Sequence, residues 1–72
     1  MNEWTRFKDK LPTEGQAIKV RNQWPFTLNA HFRKHELGYA LVELRAQARL
    51  VVREFKPNAI WMPIEVKEMA NE

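Results

Sequence analysis

The side chains of this sequence that could do chemistry are mainly cationic. Three arginines recur every four residues and two further cations precede them; the five are Arg45, Arg49, Arg53, Arg33 and Lys34. Four residues is nearly one helical turn and also two strand repeats, so the three spaced guanidinium groups share a face in either structure. Such a face binds phosphates or carboxylates of a partner, although a solvated surface has the same composition. We therefore predict a basic binding surface at these five positions.

Groups typical of catalysis and metal binding are scarce. The chain contains neither serine nor cysteine, and two glycines are too few for a phosphate-binding loop. His31 and His35 are four residues apart, but this spacing brings both rings to one ion only on a helix, and His31 falls in a predicted strand. The sequence therefore predicts no enzyme activity, no bound metal and no cofactor.

The charge distribution favours binding to a macromolecule. The net charge is +3, and eight of the 12 Lys and Arg lie in residues 17–57, whereas residues 58–72 carry one cation and three carboxylates. Because a mild net charge and an acidic end disfavour strong non-specific DNA binding, a protein partner with an acidic surface is expected first. Nucleic acid is expected second, with Trp24, Phe26 and Phe32 available for base stacking. A homodimer is the third expectation.

The chain is short for a globular protein. Seventy-two residues without cysteine predict one domain, 1–72, whose apolar core supplies stability without disulfides or thiolate-bound zinc. No apolar run is long enough for a signal peptide or a membrane span, so we expect a cytoplasmic protein with no membrane partner. The last residues, 67–72, are expected to fray.

Alternating apolar and polar residues predict two strands of a small antiparallel sheet, and the apolar run AIWMPI after Pro57 and Asn58 predicts a third. These strands lie near 17–21, 26–33 and 59–64. Turns are expected at LPTEG, residues 11–15, and near residues 22–25, because proline and glycine favour turn conformations.

Residues 39–55 fit both a helical and a strand period. Seventeen residues exceed the usual strand length, and a hairpin would need a turn at RAQA, which has no Gly, Asn, Asp or Pro. The stretch is rich in Leu, Ala, Glu, Gln and Arg, which favour helix. We predict an amphipathic helix over about 39–53 packed on the sheet, which makes an α+β fold. An all-β small sheet or barrel is the alternative.

Two short motifs stand at the ends of the chain. The first contains Trp4, Asp9, the Leu11-Pro12 turn and Gly15, and the second is Trp61-Met62-Pro63. In order and spacing they resemble the domain-of-unknown-function 551 family of phage and prophage proteins. The resemblance implies a small, strand-rich domain encoded by phages or prophages, without an assigned activity. Together with the basic residues, it leads us to expect a non-enzymatic accessory protein that binds a host macromolecule in the host cytoplasm. Where family members often carry His before the final Trp, this chain has Ile60.

The two tryptophans of these motifs are predicted to have structural roles. A large aromatic ring buries 150–250 Å² and would fill much of a core this small. We expect the chain ends to meet, with Trp61 closing the core and Pro63 at an edge position of its strand.

Overall fold

Six short strands form one antiparallel sheet in the computed structural model, which describes residues 3–64. The strands are β1 Thr5–Arg6, β2 Ala17–Arg21, β3 Leu28–His35, β4 Gly38–Glu43, β5 Arg49–Val52 and β6 Ile60–Pro63. Their order across the sheet is β1-β6-β2-β3-β4-β5, and every neighbouring pair is antiparallel. The described residues form no helix, so the predicted α+β fold is wrong and the all-β alternative describes the chain.

One face of the sheet carries the core, and we call it the inner face. In β2, Ile18 and Val20 are fully buried, and the register places them opposite Ala30 and Leu28 of β3. Buried side chains continue across the sheet to Leu41 and Val52 and back to Trp61. The opposite side of each strand forms the outer face, because successive side chains of a strand point in opposite directions.

The predicted helix over 39–53 is a hairpin of β4 and β5. Its turn uses none of the usual turn residues: Gln47 adopts φ 64°, and the Glu43 side chain accepts a hydrogen bond from the Ala46 N–H at 3.0 Å. The backbone of Glu43 also accepts from the Gln47 N–H at 3.0 Å and donates to the Ala48 carbonyl at 2.8 Å. Pairing of β4 with strands on both sides outweighed the local helix propensity, which amounts to a few tenths of a kcal/mol per residue.

The three predicted strands are confirmed in type and position. Strand β2 has the predicted bounds, β3 begins and ends two residues later than predicted, and β6 lies inside the predicted 59–64. The turn expected at residues 11–15 is present, with Gly15 at φ 86° and the Gln16 N–H donating to the Thr13 carbonyl. Asn22, at φ 72°, begins the bend between β2 and β3. The expected fraying of residues 67–72 lies outside the described residues.

The two ends of the described chain meet, as predicted. Thr5 pairs with Trp61 in the β1–β6 register. The Trp61 side chain is 6% exposed, and its indole Nε1–H donates to the Lys10 carbonyl at 2.9 Å. Pro63 is the last residue of β6, and β1 pairs only with Ile60 and Trp61 of that strand. Because β1 does not extend to Pro63, the missing proline N–H removes no hydrogen bond between the two strands.

The sheet curls around its core. Phe7 follows β1 and Phe55 follows β5, and their rings stack with centroids 3.7 Å apart and planes 5° apart. The segments that follow the two edge strands thus meet on the inner side, although β1 and β5 are not neighbours in the hydrogen-bonded order. The outer face is therefore the convex one. Residues 3–64 contain no helix with the length and apolar character needed to cross a bilayer.

Candidate binding surface

The outer face of the sheet is basic. Of its described strand positions five carry Lys or Arg and none carries Asp or Glu; the five are Arg6, Lys19, Arg21, Arg33 and Arg49. Two observations show that these five side chains point to the outer face. Each follows or precedes a buried inner-face residue in its own strand, or it lies opposite an outer-face residue of the neighbouring strand. Only β4 has a carboxylate in its strand, Glu43, and that side chain caps the β4–β5 turn.

Apolar side chains separate the cations across the strands. Arg6 and Arg21 flank Ile60 in one row of the register. In other rows Met62 lies beside Lys19, and Val42 lies between His31 and Arg49. Neighbouring strands are about 4.8 Å apart, so cations two strands apart are separated by about 10 Å at the backbone. The face thus presents spaced positive charges with apolar surface between them.

Two of the five cations have an acidic neighbour. Arg33 Nε lies 3.5 Å from Glu14 Oε2, and Arg6 Nε lies 3.9 Å from Asp9 Oδ2. All four side chains are more than half exposed, so each ion pair stabilises little and is easily exchanged for a ligand. The other three cations, Lys19, Arg21 and Arg49, form no ion pair with any residue of the described range 3–64.

Arg21 is oriented by an aromatic ring. Its guanidinium carbon lies 5.0 Å from the centroid of the Trp4 ring, which is a cation–π contact. Trp4 is half-buried on the outer side of the sheet rather than in the core, so its expected role in filling the core is wrong. The first of the two end motifs therefore supports the basic face, whereas Trp61 of the second supports the core.

The five predicted binding residues lie in different settings. Arg45 is in the turn between β4 and β5, Arg49 begins β5 on the outer face, and Arg53 follows the end of β5. The turn separates Arg45 from the strand, so the expected shared face of the three arginines is not formed. Arg33 lies on the outer face, and Lys34 lies at the end of β3 opposite Tyr39. The structure thus places Arg33 and Arg49, but not the others, on one basic surface.

Arg53 lines an open cleft of about 350 Å³. The cleft lies at the Phe7–Phe55 stack, and its lining also includes Lys8, Tyr39 and Glu54. Its charged groups are two cations and one carboxylate on exposed side chains. This set provides no nucleophile paired with a base.

The two histidines have separate backbone partners. His31 Nδ1 lies 3.3 Å from the Gly15 carbonyl oxygen, and His35 Nδ1 accepts a hydrogen bond from the Leu37 N–H at 3.0 Å. Within residues 3–64, no three His, Cys, Asp or Glu side chains converge as metal ligands.

Sequence reasoning missed three cations of the outer face, Arg6, Lys19 and Arg21. The available signal was the alternation in β2, where the two basic residues alternate with the apolar residues Ile18 and Val20. This alternation places Lys19 and Arg21 on the side of the strand opposite the core. Only the β2–β3 and β2–β6 registers show which other side chains lie on the same face. The four-residue spacing pointed instead to Arg45, Arg49 and Arg53, of which only Arg49 lies in a strand on the outer face.

Comparison with known proteins adds no relative: no family model matches the chain, and no curated protein or solved structure matches it. The similarity of its two ends to the domain-of-unknown-function 551 family therefore stays a prediction.

Proposed function

We propose that the protein is a non-enzymatic binding module that holds single-stranded nucleic acid on the outer face of its sheet. The observation that best supports this function is the charge of that face. Five of its strand positions are Lys or Arg, and no described strand position on it is Asp or Glu. A polyanion that crosses the strands of this face therefore meets five cations, and the two carboxylates beside the face, Asp9 and Glu14, already pair with Arg6 and Arg33.

The apolar residues between the cations favour nucleic acid over a small anion. Val42, Ile60 and Met62 are half-buried on the outer face, beside or between the basic positions. Unpaired bases stack on arginine guanidinium planes, their apolar faces cover the side chains between the arginines, and the phosphates meet the cations. Bases inside a duplex are not available for this contact.

The curvature of the sheet favours a single strand over a duplex. Duplex DNA has a persistence length of about 50 nm and does not bend cheaply around a small domain. The longest extent of this domain is 37 Å, and its basic face is convex. A flexible single strand follows such a surface and contacts more of its cations.

A protein partner with an acidic surface is the first expectation from the net charge of +3. Three of the nine carboxylates that lower this charge follow residue 64, and Asp9 and Glu14 pair with cations at the rim of the face. The face is thus more basic than the whole chain. Because the face is more basic than the net charge suggests, nucleic acid is favoured as the ligand. Binding to an acidic protein is one of the results that the experiment below distinguishes.

The test is fluorescence anisotropy with a labelled oligothymidylate at a series of potassium chloride concentrations. One variant removes the three face charges that form no ion pair within residues 3–64, as Lys19→Gln, Arg21→Gln and Arg49→Gln. A matched control removes three charges from outside the face, as Lys10→Gln, Lys34→Gln and Arg45→Gln. If each face cation meets a phosphate, the face variant should lower the slope of log affinity against log salt by about 2, from roughly 0.7 per phosphate. The control should keep the slope of the parent.

Three results would overturn the proposal. If the parent binds no oligothymidylate while it retains an acidic protein, the partner is a protein. If a duplex of matched length binds more tightly than the single strand, the curvature argument is contradicted. Equal effects of the face variant and the control would show that net charge, and not the outer face, attracts the ligand.

A further inference from the structure

The loop between β2 and β3 carries a pair of stacked aromatic rings. Trp24 and Phe26 have parallel planes, 3° apart, with ring centroids 5.6 Å apart. Trp24 is half-buried and packs against the core cluster, whereas Phe26 is 53% exposed. Among the aromatic residues of the described range, Phe26 alone is exposed. The stack therefore runs outward from the core and ends on a ring that faces solvent.

The loop that carries the two rings is held in place from outside. Gln23 Oε1 accepts a hydrogen bond from the Lys56 N–H at 2.8 Å, and Asn22 Nδ2 donates to the Asn58 carbonyl at 3.2 Å. Pro25 separates the two aromatic residues and fixes one backbone angle between them. A ligand that stacks on Phe26 therefore meets a preformed surface and does not have to order the loop.

The loop that carries the aromatic pair begins at the basic end of the outer face. Arg21 is the last residue of β2 and directly precedes the loop. The register places Arg21, Ile60 and Arg6 in one row across three strands, so two cations lie at the sheet end from which the loop extends. A nucleic-acid strand that contacts this row and continues past the end of β2 runs toward the loop.

We propose that Phe26, supported by Trp24, is a stacking platform for one unpaired nucleobase of the strand bound on the outer face. This inference rests on the function proposed above, and it adds a base-binding site outside the sheet face. The chemistry of the platform and of the row beside its loop indicates this ligand. The exposed ring of Phe26 can stack with any base, and Arg21 and Arg6 attract phosphate. Stacking on such a ring does not select one base, so the platform contributes affinity without sequence preference.

The experiment compares substitutions of Phe26 in the oligothymidylate assay. Phe26→Leu keeps an apolar side chain but removes the ring, and it should weaken binding by about 5- to 150-fold with an unchanged salt slope. Phe26→Trp should retain the affinity of the parent, because it restores a ring. Leu37→Ala is the matched control, since Leu37 is also 53% exposed but lies in the β3–β4 turn. It should leave the affinity unchanged.

A second probe separates stacking from contacts to the backbone. On an abasic oligonucleotide, which keeps the phosphates and lacks the bases, parent and Phe26→Leu should bind equally. Phe26→Leu that binds oligothymidylate as tightly as the parent would overturn the platform and leave the proposed function standing. A parent that binds no oligonucleotide at all would overturn both. Thermal melting of each variant confirms that the fold is intact before affinities are compared.

Discussion

Gly38 stands where the backbone of β4 passes closest to the end of β5. Its φ is 141°, and a Cβ placed on it would lie 2.5 Å from the Val52 carbonyl oxygen and 2.7 Å from that of Arg53. Any side chain at this position must therefore push the two strands apart. A glycine is required here by both the backbone conformation and the space.

Gly38→Ala should lower the free energy of unfolding by about 2–4 kcal/mol, the sum of backbone strain and overpacking. Gly15→Ala is the control, because Gly15 also has a positive φ, 86°, but a Cβ placed on it would meet nothing within 4 Å. It should lose only about 1–2 kcal/mol. Urea denaturation measures the free energy of unfolding of both variants. Equal losses would show that the contact between β4 and β5 is looser than the structure indicates.

Trp61 is a large, buried side chain whose indole N–H donates a hydrogen bond to the Lys10 carbonyl. Trp61→Ala should cost about 3–5 kcal/mol, which in a domain of this size can abolish folding. Trp4→Ala provides the comparison, since Trp4 is half-buried on the outer side, and it should cost about 1–2 kcal/mol. Thermal melting decides the matter: a Trp61→Ala melting temperature close to that of the parent would show that Trp61 does not close the core.

At the scale of elements, the β4–β5 hairpin depends on a turn residue that is unusual for its role. Gln47 has φ 64°, a conformation that costs a non-glycine residue about 1–2 kcal/mol. Gln47→Gly should therefore raise stability by about 1 kcal/mol as the strain is relieved. In a helix the same change would lower stability by about 1 kcal/mol. The two structures thus predict opposite signs for one substitution.

Gln47→Ala completes this test. Alanine keeps the Cβ and loses only the long hydrogen bond from Gln47 Nε2 to the Leu44 carbonyl, 3.4 Å, so the hairpin should be unchanged or slightly weaker. A helix would instead be stabilised, because alanine has the highest helix propensity. Denaturant midpoints of both variants are compared with that of the parent. A destabilising Gln47→Gly together with a stabilising Gln47→Ala would contradict the hairpin.

This turn also shows why the sequence predicted one part of the fold and not another. Strands β2 and β3 alternate apolar and polar residues, β6 is a short apolar run, and all three lie near proline, glycine or asparagine, so local pattern suffices to find them. Strands β4 and β5 join through LRAQA, where the positive φ falls on a glutamine and the stabilising bonds come from Glu43. The pairing of β4 with β3 is a tertiary interaction, which local propensity does not contain.

At the scale of the whole molecule, the basic face is a property of the sheet and not of any segment. Its five cations come from four strands, β1, β2, β3 and β5, that the order of the sheet brings onto one surface. Arg33 and Arg49 could be predicted from the sequence, Arg49 by the four-residue spacing of arginines and Arg33 as a cation near them in the chain. Arg6 could not, since it reaches the surface only through the pairing of β1 with β6.

Binding to this face should stabilise the entire domain, because a ligand that binds only the folded state shifts the unfolding equilibrium. At an oligothymidylate concentration of about 100 times Kd, the expected gain is about 2.7 kcal/mol. For a domain of about 60–100 residues this corresponds to a rise in Tm of roughly 10–20 °C. Differential scanning fluorimetry with increasing oligothymidylate measures the rise, and added salt should reduce it as the electrostatic contacts weaken. The variant with Lys19→Gln, Arg21→Gln and Arg49→Gln should show little rise, whereas the control with Lys10→Gln, Lys34→Gln and Arg45→Gln should follow the parent. A similar rise in both variants would place the bound strand elsewhere on the molecule.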